Sequence, residues 1–181
     1  MKLFARPHTA VRRLHTRRAE SDVGMGSSGT RPRQVAVIPV RRTEGGVWQV
    51  CLIRRKGSSK WGIPKGFIDR GHTHAQAALA EANEEAGLEG RIRGDAIGTY
   101  EYKKGLLCLT VAVYVMEVTD ERPTWLEMRW RERAWYSVEE AGALLRRHHV
   151  WPLYDRIRPT LPTIVPAAPR ESPSDIEPES H

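Results

Sequence analysis

No apolar run in this chain approaches the roughly 18 residues that a membrane-spanning helix requires, so no membrane partner is expected from it. Cysteine is nearly missing. Cys51 and Cys108 both fall in apolar, strand-like runs, which excludes a disulfide framework and reads as two packed free thiols in a reducing cytoplasm. No internal repeat is visible, and 181 residues with 40% hydrophobic content bury one core but not two large ones. Acidic residues are scarce at the start: residues 1–33 carry +6 of the formal net charge of +7, against +4 for residues 34–159 and −3 for the rest. That opening segment has no hydrophobic periodicity and is expected to be disordered, although its Arg-rich, acid-poor composition also fits an organellar transit peptide, and Met25 offers a second start. A nucleic-acid-binding role for these bases is a weaker reading, because no aromatic platform is interleaved with them. The Pro/Ser/Glu-rich tail from residue 160 to 181 is expected to be disordered as well.

What the chain does have is an acidic helix end. Glu81, Glu84 and Glu85 stand at i, i+3 and i+4, so on a helix they share one face. Stability does not ask for this arrangement, since like charges at that spacing repel and acids near a helix C-terminus oppose the macrodipole, each at a cost of roughly 0.3–1 kcal/mol. Gly87 stands where a left-handed cap would stop the helix. A hard divalent cation, Mg²⁺ or Mn²⁺, would turn the repulsion into ligation, sharing its shell with water and substrate phosphates. Ala75, Ala78, Leu79, Ala82 and Ala86 form an adjoining small-residue arc that is expected to pack inward. Upstream, Trp61-Gly-Ile-Pro-Lys-Gly66 is a punctuated loop able to bring backbone oxygens and a cation to the same place.

From Gly66 to Leu88 the chain resembles the Nudix hydrolase superfamily, with Gly66, Glu81, Ala82, Glu84, Glu85, Gly87 and Leu88 in register with its motif. Two positions depart: His72 stands where the motif has its first Glu, and Ala80 where it has Arg. The resemblance implies a mixed-sheet α/β/α sandwich of class α/β and metal-dependent hydrolysis of a phosphoanhydride. It implies Glu81, Glu85 and the Lys65 carbonyl as metal ligands and Glu84 as general base, with Glu127 and Glu101 as reserves. The departures motivate an alternative, a catalytically weak Nudix-fold protein that binds or senses a nucleotide.

Bases at loop ends are the candidate phosphate contacts: Arg55, Lys56, Lys65, Lys103, Lys104, Arg131 and Arg133, with Gly66 beside them. Arg131 to Tyr136 is similar to the basic stretch before an aromatic pair in diphosphoinositol polyphosphate phosphohydrolases, and Pro64-Lys65-Gly66 to a tripeptide of diadenosine polyphosphate hydrolases. Both branches imply a polyphosphate-bearing small molecule as partner. His72 and His74 read as solvated loop and helix-entry residues.

Around the acidic helix the pattern is mixed. Gln34–Val40 and Val47–Arg54 read as a hairpin about Thr43–Gly46; Ile92–Tyr102 and Leu106–Val118 read as strands about Lys103–Gly105. The second of these is too continuously apolar to have a wet face and belongs centrally. Arg133–Tyr136 reads as a strand, Ser137–Glu140 as a capping box opening a helix to about Arg147, and Val150–Arg158 as a last helical turn or two. These put one domain at 34–159.

Overall fold

The computed structural model describes residues 33–165. The expectations for the basic opening and for most of the tail lie outside the described residues.

The β-branched runs pair as expected. β1 (Gln34–Arg42) and β2 (Trp48–Arg55) run antiparallel through Val40↔Val50 and Arg42↔Trp48, and the turn closes where Gly46 N–H donates to Thr43 O at 2.8 Å. The continuous apolar run becomes β6 (Leu107–Glu121), parallel to β1 from Gln34↔Val111 to Val40↔Glu117. β7 (Arg131–Ser137) adds antiparallel to β2. The outer side of β6 is shared by β5 (Gly98–Lys104) along its first half and β4 (Leu88–Ile92) along its second, while the short β3 (Lys65–Phe67) pairs with the start of β1. The result is a seven-stranded mixed sheet ordered β4-β6-β1-β2-β7, with β3 on β1 and β5 on β6.

Strand alternation divides the core into two faces. Val35, Val37, Cys51, Ile53, Ala112 and Met116 point to α1 (His74–Ala86). Ala36, Ile38, Val40, Val50, Leu52, Val111, Val113 and Val115 point the other way, to α2 (Val138–Leu145), α3 (Trp151–Ile157) and α4 (Leu161–Ile164). The sheet is therefore covered on both sides, and β6 lies inside it as its composition required.

Four expectations need correction. Ile92–Tyr102 is not one strand: Gly94, at φ 72°, turns the chain in a region that side chains avoid, and β4 and β5 separate around it. Cys108 is exposed, not packed, because the β5–β6 tip projects beyond Val111, where β1 first pairs with β6. In the small-residue arc Ala77 is buried, whereas Ala75 is only half-buried. Finally, the fold runs past residue 159 through the turn Arg158–Thr160 into α4, and Leu161 and Val165 are buried. Pro159 and Pro162 both sit in the first turns of their elements, where a missing N–H costs nothing.

Candidate active site

α1 is set at both ends. Thr73 Oγ1 accepts from Gln76 N–H (3.2 Å) while Gln76 Oε1 accepts from Thr73 N–H (2.9 Å), a reciprocal cap. Gly87 closes the other end in the left-handed region at φ 63°, its N–H donating to Asn83 O at 2.8 Å. The last turn of α1 carries no basic residue. Arg133 supplies one from β7: its guanidinium donates to Ala86 O and Gly87 O, pairs with Glu121 at 2.9 Å and lies 4.3 Å over the Trp125 ring. Expected as a phosphate contact, Arg133 instead satisfies the helix carbonyls that the acidic end leaves open.

With the helix fixed, its carboxylates take distinct environments. Glu85 is buried, 5% exposed, and its Oε2 accepts from Lys65 N–H at 2.9 Å. Its Oε1 accepts from Arg131, which also pairs with Glu127, so one guanidinium ties β7, α1 and the 122–130 loop together. Glu81 is half-buried and lies flat against β3: a Cβ on Gly66 would fall 1.7 Å from Glu81 Oε1. Only glycine fits there, and Gly66 therefore serves by its absence of a side chain. Glu84 is exposed, and its carbonyl accepts from Glu127 N–H at 3.1 Å, which docks the loop on the helix end.

Burial, then repulsion from Glu85, Glu84 and Glu127, pushes the Glu81 carboxyl up to about 7 against the pull of Arg131. Burial likewise lifts Glu85 to about 7, opposed by the Arg131 charge and the Lys65 N–H. Clustered carboxylates balanced chiefly by one shared arginine are short of positive charge, and their oxygens suit a hard divalent ion. Among the described residues no three His, Cys, Asp or Glu side chains converge into a cage. Two carboxylates and a main-chain carbonyl, with water or phosphate oxygens completing the shell, is a donor set that Mg²⁺ accepts.

Beside the acids opens a cleft of about 200 Å³ lined by Arg54, Arg55, Lys60, Trp61, Gly62, Lys65, Glu85, Arg131 and His148. It brings together Arg55, Lys65 and Arg131 of the expected bases. Lys65 sends Nζ to the side opposite Glu81, 3.5 Å from Tyr102 Oη, which donates to Gln34 Oε1 at 2.7 Å. Lys56 is not in the wall; its N–H closes the loop onto Trp130 O at 2.8 Å. Lys103 and Lys104 pair with Cys108 and Leu107 at the exposed tip, outside the cleft. Glu101 accepts from Thr110 Oγ1 at 3.3 Å on the β5–β6 ladder, away from α1. A larger groove of about 370 Å³ follows the other flank of α1 past Leu79, Ala80 and Glu84, and no Lys or Arg lines it. His72 is exposed and His74 opens α1, both away from the acids.

Sequence reasoning missed Arg54, Lys60 and His148 as wall residues. His148 is held near a pKa of about 4 by burial, then by His149 and Lys65, and nothing in the dipeptide His148-His149 announces a cleft residue.

Residues 30–158 match the NUDIX domain. The chain is 36% identical to "Nudix hydrolase 16, mitochondrial" of Arabidopsis thaliana over 116 residues, 59% of this chain and 62% of that one. It is 32% identical to diphosphoinositol polyphosphate phosphohydrolase 3-beta of Homo sapiens over 91 residues, 49% of this chain and 54% of the other. A Mycobacterium tuberculosis protein designated MutT4 is 30% identical over 183 residues, covering 93% of this chain and 69% of that one. The chain thus spans between about half and three fifths of the length of several curated relatives it matches. In fold it is similar to an Ap4A hydrolase of C. elegans, with a TM-score of 0.61 at 20% identity over 72% of this chain and 97% of that one. Nudix hydrolases generally use divalent metal cations. With the motif helix, its glycine cap and its mixed-sheet scaffold in place, this chain belongs to the Nudix family.

Proposed function

We propose that this protein is a divalent-metal-dependent pyrophosphohydrolase that cleaves a phosphoanhydride in a polyphosphate-bearing small molecule, of the dinucleoside polyphosphate or diphosphoinositol polyphosphate kind. The observation that carries the reading is the junction of opposite charges. Glu85, bonded to the Lys65 N–H, lines a cleft that also carries Arg54, Arg55, Lys60, Lys65 and Arg131, and Glu81 lies one helical turn away against Gly66. A polyanion and a dication are what such a junction accommodates together.

Glu81, Glu85 and the Lys65 carbonyl would hold Mg²⁺ or Mn²⁺. Bound there, the ion supplies charge neutralisation on the phosphate and a lowered pKa for coordinated water. The chain's own groups do the rest. Arg55, Lys65 and Arg131 bind and orient phosphoryl oxygens, a positioning role that carries most of the catalysis in phosphoryl transfer. Glu84, exposed on the same helix face, takes the proton from the attacking water, with Glu127 one hydrogen bond away along the backbone as the reserve.

The test is incubation of the full chain with Mg²⁺ or Mn²⁺ and a panel of diadenosine polyphosphates, diphosphoinositol phosphates, nucleotide sugars and nucleoside triphosphates. Cleavage of the polyphosphate-bearing compounds, abolished by chelator, is expected. Tight binding without turnover across the panel would favour the sensor alternative, and preference for nucleoside triphosphates would overturn the substrate class.

A further inference from the structure

Glu85 is the acid that lines the cleft. The lining also holds His148, in the turn between α2 and α3, its ring edge-on to Tyr100 with centroids 6.1 Å apart. Val150 N–H donates to His148 Nδ1 at 3.1 Å. A ring nitrogen that accepts a hydrogen bond does not carry the proton, so in the neutral imidazole the proton sits on Nε2.

Nε2 faces Gly62, where an added Cβ would lie 3.2 Å from it. Glycine is not required there by the backbone. Gly62 is not among the residues with positive φ, and its N–H and C=O are both paired with Ile53 at 2.9 Å, in a regular antiparallel bridge. What the missing side chain provides is space in front of the imidazole N–H. That space belongs to the same cleft as Lys65, Glu85 and Arg131.

We propose that His148 is a substrate-binding donor: the Val150 N–H fixes its tautomer so that Nε2–H points past Gly62 and hydrogen-bonds a phosphoryl oxygen of the ligand in the cleft. The inference rests on the hydrolase reading for the identity of the ligand. A neutral donor gives the cleft direction where Lys65 and Arg131 give it charge. An ammonium attracts an anion from any side, whereas an N–H held by two packed neighbours accepts only one orientation of the phosphoryl group.

The experiment separates the two ring nitrogens. In His148→Asn the amide retains an acceptor where Nδ1 lay and loses the distal donor; in His148→Gln the amide reaches the place of Nε2 and loses the bond to Val150. Binding of methylenediphosphonate, whose carbon bridge resists hydrolysis, is measured on the full chain with Mg²⁺ by calorimetry, alongside Tm. His148→Asn is expected to raise Kd about tenfold with Tm near that of the native chain, the size of one hydrogen bond to a charged group. His148→Gln is expected to bind nearly normally with a lower Tm, and Gly62→Ala, which places a methyl before Nε2, to weaken binding as Asn does. Native-like binding by His148→Asn, equal weakening in the Gln variant, or no binding of the probe by the native chain would each overturn the assignment. The two readings fail separately. His148-dependent binding without cleavage of any panel compound would sink the hydrolase and leave the donor, and cleavage with an unchanged KM in His148→Asn would do the reverse.

Discussion

Against one face of the sheet α1 presents Ala77, Ala78, Ala82 and Ala86; against the other, α2 to α4 present Leu145, Tyr154, Ile157 and Leu161. Small side chains let α1 lie close to β1 and β3, and closeness is what the site needs. Glu81 can rest on the Cα of Gly66, and Glu85 can reach the Lys65 N–H, only at that separation. The α2–α4 side contains Tyr154, the largest fully buried residue, with Leu145 and Leu161 beside it, and fills volume. One face positions the acids, while the other chiefly stabilises the fold and meets the cleft through Trp61, Ile63 and the His148 turn.

If that division holds, changes on the two faces should separate activity from stability. The largest effect is expected for Glu84→Gln, a drop in kcat of roughly 10²–10⁴ with unchanged Tm and metal affinity, as for loss of a general base. Glu85→Gln should instead weaken Mn²⁺ binding, because it removes charge where the proposed ion would sit and leaves Arg131 with Glu127 alone. Equal loss of metal affinity in both variants would make Glu84 a ligand, and near-normal turnover in Glu84→Gln would move the base to Glu127.

Next in size is a pair of core substitutions. Leu145→Ala on the α2–α4 face should cost about 2–5 kcal/mol of stability while kcat per folded molecule stays close to native. Ala82→Leu on the α1 face should cost less, about 1–3 kcal/mol from overpacking, yet reduce turnover far more, since it lifts the helix off β3. If the two variants lose activity in proportion to stability, the faces do not differ in kind.

A third test uses pH. In the folded, metal-free chain Glu81 and Glu85 sit at about 7, against an ordinary value of 4.5 when unfolded. The folded state therefore holds more protons between those values. The stability it gains from them is complete below the unfolded value and is lost as pH rises through about 7. With chelator present, Tm should fall between about pH 5.5 and about pH 8, and Mg²⁺ should raise Tm more at the upper end, where both carboxylates are free to ligate. Glu85→Gln should flatten the chelated profile. A Tm that climbs with pH in chelator would reverse the assignment of these carboxyls as destabilised anions.

The sequence carried the α1 face well because that face is local. Three glutamates, a glycine stop and an alanine arc lie within one helix, and helical spacing alone places them together. It failed where position depends on partners distant in the chain. Arg131 and Arg133 look alike in sequence and, two residues apart on β7, share one face of the strand; their partners separate them, since the first reaches Glu85 in the cleft and the second the helix carbonyls beside Trp125. His148 reaches the cleft from a turn that only α2 and α3 packing defines. Gly66 was matched by motif, but the reason for it, the Glu81 carboxylate lying on its Cα, is tertiary. The strand boundaries missed around Gly94 are likewise decided by pairing with β6.

The smallest expected effect tests the region that belongs to neither face. Lys103 and Lys104 stand on the exposed β5–β6 tip, beyond Tyr102, the last residue of that hairpin to touch the cleft network through Lys65 and Gln34. An extended polyphosphate would approach them only with its distal end, through fully solvated contacts each contributing under about 1 kcal/mol. Lys103→Ala and Lys104→Ala should therefore raise KM by no more than roughly fivefold, for the longer substrates only, and the effect should fade as salt rises past the point where exposed charges are screened. Arg131→Ala, inside the cleft, should act on short and long substrates alike and keep its effect in salt. The readout is KM for a two-phosphate and a four-phosphate compound at low and moderate ionic strength in each variant. A length-dependent loss confined to the lysine variants would make the hairpin tip part of the substrate path, whereas no loss would end the site at Tyr102.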